Sequence, residues 1–217
     1  MIFDTYELIA VGAAVLAILM LGTTHLRNNL SFYSLHTFLI AVATAWIAYS
    51  NNQYDLYWVA FFFGLFKAIL IPRFLSWIID TIQVDTDAGA FIVAPMAMLA
   101  GIGMLGVSYL LSSQLPGLPG DNESRLGAMS AMSILFTGVL LMLARRIAIS
   151  QITGFLVLEN GVYLFALTQT HGMPWLVEMG ILLEVLGGVM IFGLLTSRIK
   201  KSFEHIDVTQ LTELRES

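Results

Sequence analysis

Residues 153–167, TGFLVLENGVYLFAL, and 176–195, LVEMGILLEVLGGVMIFGLL, decide how this chain is read. Each lies in an apolar segment long enough to cross a bilayer, and each carries a carboxylate near its middle, Glu159 in the first and Glu184 in the second. A carboxylate at bilayer depth costs about 2.5–3.5 kcal/mol on insertion scales, so it persists where it faces a protein interior or a water-filled path. Two such groups on consecutive spans, with Lys67 inside an earlier one, point to a proton-conducting or charge-coupled membrane subunit.

The composition agrees. Of 217 residues, 58% are hydrophobic and 12% charged, and the mean hydropathy is +0.82. A soluble domain is about 45–50% apolar and about 25% charged. The expected fold class is therefore all-α, a polytopic membrane protein in the lipid bilayer. The formal net charge of -5 says little, because the charges gather in ends and loops. No basic patch invites nucleic acid. The chain has no cysteine, which excludes disulfides, thiol chemistry and Cys-ligated iron–sulfur clusters. His25, His36, His171 and His205 are scattered without metal-ligand spacing. Any redox centre is thus expected in a partner, with no cofactor or metal in this chain. The first ten residues, MIFDTYELIA, carry Asp4 and Glu7 where a cleaved signal peptide has basic residues.

A transmembrane helix needs about 20 mainly apolar residues. Seven segments qualify: 8–25, 29–50, 56–79, 88–112, 124–144, 147–170 and 175–197. They divide the chain into a four-helix region (1–112), an extracytoplasmic loop (113–123), a three-helix region (124–198) and a cytoplasmic tail (199–217). The connection IDTIQVDTDA, 79–88, is ambiguous. Arg27, Arg73, Arg145, Arg146, Arg198, Lys200, Lys201 and Arg215 fall on one side of this topology and only Arg125 on the other. The positive-inside rule makes the richer side cytoplasmic, with the N-terminus outside.

Depth comes from the helical rise. Glu159 lies about 18 Å into its span, Lys67 about 16 Å and Glu184 about 13–14 Å, in an apolar core about 30 Å thick. The three share one layer near the midplane. Burial raises a carboxyl pKa toward neutrality, which suits a relay group. The plainer alternative for each acid is a buried group that only bonds a neighbouring helix. Glu178 is about 5 Å below the outer interface and about 120° around the helix from Glu184. It reads equally as an interfacial acid and as a group at the outer end of a proton path. Lys67 is read as the partner of an acid in this chain or a neighbour, against the alternative of snorkelling to a headgroup. Pro72, five residues on, lacks an N–H and disturbs the carbonyls of that turn. Asn160 is expected to be interhelical glue. His36 reads as a packing histidine or as the start of a proton path. Pro95 is expected to kink the fourth span, Gly187, Gly188 and Gly193 to permit close packing, and Phe61-Phe62-Phe63 to face lipid or a partner helix.

The stretches RRIAISQITGFLVLENGVYLFAL, WLVEMGILLEVLGGVMIFGLLTSRIKK and HIDVTQLTELRES resemble the C-terminal part of the hydrogenase-4 component E family, membrane subunits of formate hydrogenlyase-type group 4 nickel–iron hydrogenases. The resemblance extends upstream through FKAILIPRF and FIVAPMAML. The last three spans also resemble the K-subunit of bacterial complex I and the C-subunit of Mrp antiporters. Arg145-Arg146, Glu159, Glu184 and Ile206-Asp207 match those families' arginine-flanked helix, two midplane glutamates and Ile-Asp tail. Glu159 departs from the pattern by about one helical turn, which keeps roughly the same face.

The resemblance implies a non-redox membrane-arm subunit of an energy-converting hydrogenase in the prokaryotic inner membrane, inactive alone. A peripheral hydrogenase arm in other chains would hold the nickel–iron centre and iron–sulfur clusters, and antiporter-like subunits would flank this one. Glu159, Glu184, Lys67, Glu178 and His36 are the candidate proton or ion path. The competing readings are a component of an Mrp-type cation/proton antiporter without a redox partner and a purely structural membrane anchor.

Overall fold

A computed structural model describes residues 5–87, 90–115 and 122–170, together with Gly188. All the described helices fall in the unit Met1–Gly180; of the unit Ile181–Ser217 only Gly188 is described. The seventh expected span, with Glu178, Glu184, Gly187 and Gly193, therefore lies outside the described residues.

The order is α1 (Thr5–Leu21), α2 (Leu26–Ser50), a composite rod, α5 (Ala94–Ser112), α6 (Asn122–Ala144) and α7 (Ala148–Thr170). The composite rod joins α3 (Tyr54–Phe62), a π-helical segment (Phe63–Leu70) and α4 (Ile71–Ile82). Five of these rods are long and apolar enough to cross a membrane; α1 is apolar but shorter, at 17 residues. Among the described residues the sole strand-like pairing is an isolated bridge between His25 and Thr86. The protein is an all-α, multi-pass membrane protein.

Small residues set the packing. α6 and α7 make the most extensive helix pair. A Cβ at Gly138 would stand 2.4 Å from the backbone nitrogen of Leu158, and one at Gly161 would stand 2.5 Å from that of Leu135. Close backbone approach of this kind replaces the hydrophobic drive that lipid cannot supply between helices. α1 turns Ala10, Ala13, Ala14 and Ala17 inward, the spacing of one helical face.

The end of the bundle that carries Arg27, Arg145 and Arg146, here the basic end, is closed by a strap. α4 stops where Gln83 turns left-handed, at φ 52°. Beyond it, Asp85 O accepts from Leu26 N (3.0 Å), Asp87 N donates to Thr24 O (2.9 Å) and Phe91 N donates to Ala144 O (2.8 Å). The ambiguous 79–88 connection is thus the end of α4 followed by this strap. Arg145, 1% exposed, reaches beneath it. Its Nη2 donates to Leu21 O (2.9 Å) and Thr23 O (2.7 Å). The last carbonyls of a helix have no partner in their own helix, so Arg145 caps α1. Burial pushes the Arg145 guanidinium down from its ordinary value, and the carboxylate of Asp87 opposes that shift. The guanidinium stays charged, as arginine does in proteins. Arg146 lies 4.3 Å from the centre of the Phe91 ring.

Four expectations need correction. The first span is Thr5–Leu21, not 8–25, because α1 ends where Arg145 takes its carbonyls. The fourth span starts at Ala94, not 88, and Pro95 opens it instead of kinking it. A proline in the first turn has no intrahelical bond to lose. Phe61 and Phe62 face outward, whereas Phe63 is buried. Arg73, read as a residue of the basic side, stands within α4, nine residues short of its end at Ile82.

Gly138→Leu should drive α6 off α7 and sharply lower the yield of folded protein and its thermal midpoint in mild detergent. Gly103→Ala, where an added Cβ meets nothing within 4 Å, should leave the midpoint unchanged or raise it, since alanine is favoured over glycine in a helix interior by about 0.5–1 kcal/mol. Equal midpoints for the two variants would refute the glycine contact.

Candidate functional site

Pro72 has no N–H to give the carbonyls of the preceding turn. In that turn the hydroxyl of Ser34 on α2 donates to the carbonyl of Ala68. The turns before Pro72 are wound as a π-helix from Phe63 to Leu70. A π-helix holds more residues per turn than an α-helix and is common where function needs a side chain re-aimed. Here Phe63 and Lys67, four residues apart, both turn inward and are buried.

They meet a matching pair on α7. Lys67 Nζ lies 3.2 Å from Oε2 of Glu159, and the Phe63 ring stacks on Tyr163 with centroids 4.6 Å apart. Phe63 precedes Lys67 by one turn, and Tyr163 follows Glu159 by one turn, so the two rods run antiparallel. Lys67 is 4% exposed and Glu159 2%. The ammonium also lies 4.9 Å over the Phe63 ring, within the range of a cation–π contact. Snorkelling is overturned: Lys67 points into the protein.

Asn160 extends the pair to a third helix. Its Oδ1 accepts from Lys67 Nζ (3.3 Å), and its Nδ2 donates to Thr37 Oγ1 on α2 (2.8 Å). Two turns along α2, the Thr44 hydroxyl lies 3.2 Å from the Tyr163 hydroxyl. Three elements thus converge on one cation, one carboxylate, one amide and three hydroxyls. Asn160 holds helices together, as expected, and does so by binding the lysine itself. Breaking a buried pair by removing one member leaves a charge without its counter-charge, typically at a cost of about 3–5 kcal/mol.

Of the sequence candidates, the structure brings Lys67 and Glu159 together. His36 adjoins Thr37 in sequence but is buried against α1, where Nδ1 donates to Ala13 O at 2.8 Å. A carbonyl can only accept, so Nδ1 carries the proton. Glu178 and Glu184 lie outside the described residues. Sequence reasoning missed Phe63, Thr37, Thr44 and Tyr163. The signal available was spacing: Tyr163 and Phe63 each lie four residues from a charged residue, and Thr37 and Thr44 lie seven apart on one face of α2. It also missed Glu7. Taken only as a sign against a signal peptide, Glu7 is 0% exposed in the first turns of α1.

No family model matches the chain, and no solved structure matches it. The chain is similar to hydrogenase-4 component E of Escherichia coli and of Shigella flexneri, at 27% identity over 192 residues, 87% of this chain and 87% of each relative. It is also similar to an uncharacterised protein of Mycobacterium tuberculosis, at 28% identity over 152 residues, 69% of this chain and 68% of that one.

A double-mutant cycle tests the pair. Lys67→Met should destabilise the folded protein by about 3 kcal/mol or more, and Lys67→Met with Glu159→Leu should recover much of that loss. Reversible unfolding in detergent measures both. Strictly additive losses would show that the two groups do not interact.

Proposed function

We propose that this chain is a non-redox membrane subunit of an energy-converting hydrogenase complex, and that its Lys67–Glu159 pair is a charge switch on a proton or ion path. The observation that carries the reading is a lysine and a glutamate held 3.2 Å apart in the buried middle of two helices. Its support in sequence is the 27% identity to hydrogenase-4 component E over 87% of both chains. The redox chemistry of such a complex would reside in partner chains that hold a nickel–iron centre and iron–sulfur clusters. This chain has no cysteine to ligate them, and among the described residues no three His, Asp or Glu side chains converge.

The switch works through charge balance. With Glu159 ionised, the ammonium of Lys67 holds it. A proton arriving at Glu159 neutralises the carboxylate and leaves the ammonium its hydrogen bond to Asn160. The proton then passes on and the pair re-forms. Glu184 is the proposed next acceptor, Glu178 the proposed outer end of the path, and His36 a proposed group on the α1 side. Antiporter-like membrane subunits and a peripheral hydrogenase arm are the proposed neighbours. The basic end, with the tail of Arg198, Lys200, Lys201 and Arg215, is proposed to face the cytoplasm from the inner membrane.

Glu159→Gln keeps an oxygen acceptor for Lys67 but cannot titrate. In the assembled complex it should leave dye-coupled hydrogenase turnover near wild type while strongly lowering membrane-potential generation in sealed vesicles. Wild-type translocation, with assembly verified, would reduce the pair to a structural clamp. Failure to co-purify with any hydrogenase chain would instead remove the hydrogenase assignment and favour an antiporter component.

A C-terminal fusion tests the orientation separately. A reporter enzyme active only outside the cytoplasm should be silent after Ser217, and an active one would invert the topology.

A further inference from the structure

Arg73 presents a problem that the relay does not solve. It lies six residues from Lys67 on the same rod, about 9 Å toward the basic end, inside the apolar layer of half-thickness about 15 Å. It is exposed, and among the described residues the ion pairs involve other cations: Arg27 with Asp80 and Asp85, and Lys67 with Glu159. A guanidinium at this depth is costly unless it reaches water or meets an anion.

The groove beside it supplies room for one. Between α2 and the composite rod runs a cavity of about 680 Å3, lined at the basic end by Arg27, Arg73, Ser31, Ser34 and Ser76. Deeper in, Phe38 and Ile69 line both this cavity and a second one of about 420 Å3, whose other walls include Ala41, Ala45 and Gly64. The two form one slot, polar at its outer mouth and apolar along its length. From Leu30 to Ala45 it follows fifteen residues of α2, about 22 Å, long enough to take an acyl chain.

The order of charges selects the headgroup. Arg73 is the inner, positive element. Farther out, Arg27 is shared between Asp80 and Asp85, which leaves that trio one formal negative charge. Positive inside and negative outside is the complement of a phosphate with an ammonium beyond it.

We propose that this slot seats a phosphatidylethanolamine-type phospholipid. Its phosphate lies on Arg73 and the Ser76 hydroxyl, since the hydroxyls of Ser31 and Ser34 donate to the carbonyls of Arg27 and Ala68, its ammonium lies toward Asp85, and an acyl chain runs along Leu35, Phe38 and Ile69.

The test is native mass spectrometry of the full chain, released from mild detergent after equilibration with phosphatidylethanolamine, phosphatidylglycerol or phosphatidylcholine of identical acyl chains. The wild type should retain the ethanolamine lipid in preference to the other two. Arg73→Gln should lower that retention by about fivefold, the effect of one basic residue on a lipid phosphate. Asp85→Asn, at a largely exposed residue, should leave phosphatidylglycerol binding in place and abolish the preference for ethanolamine. Equal retention of the three lipids, or no change in either variant, would overturn the proposal. So would a photo-crosslinker at Leu35 that captures a neighbouring protein helix in the membrane instead of lipid.

Discussion

A charge inside a bilayer must have its opposite beside it, and the arrangement of this protein follows from meeting that demand at Lys67 and Glu159. The lysine belongs to the third rod and the glutamate to α7, so the pair fixes two helices far apart in sequence at one depth and one rotation. Asn160 and Thr37 carry the constraint to α2, and His36 carries α2 to α1 through Ala13. The aromatic stack of Phe63 on Tyr163 lies one turn away, with both rings buried. The Tyr163 hydroxyl, beside that of Thr44, ties the same stack to α2.

The scaffold around the pair is built differently at each level. In the membrane, glycines let α6 and α7 approach until backbones touch, and alanines line the inward face of α1. At the basic end, where chain ends and loops would leave carbonyls bare, a strap and a buried arginine supply the missing donors. Both devices fix the helices that carry the buried pair.

The membrane class was legible in the sequence, and Lys67 read there as the partner of an acid, because intramembrane charge is costly and therefore informative. Which acid was not. Rise per residue gives depth, but rotation about the helix axis is lost wherever the helix departs from α geometry, and the π segment lies at Lys67 itself. Pro72 announced a disturbance there without stating its form. Pro95 carried the opposite lesson: the same residue type opens a helix when it falls in the first turn. Arg145 read as a topological marker because nothing local shows that the open end of α1 lies beneath it. The family likeness was legible in the GFLVLEN and LVEMG stretches and agrees with the relatives found by comparison, whereas the acids of the seventh span stay at the level of sequence.

The cap on α1 has a consequence in time. The carbonyls of Leu21 and Thr23 leave the ribosome early, but the guanidinium that satisfies them follows 124 and 122 residues later. At about 5–20 residues per second, α1 waits on the order of 6–25 s for its partner. During that interval its open end must be served by water or by lipid headgroups at the interface. The helix is thus made well before the residue that caps it, and α1 can settle only once Arg145, which follows α6, has been made. A truncated chain that ends before Arg145 is in this sense not a shorter version of the fold but an earlier moment of it.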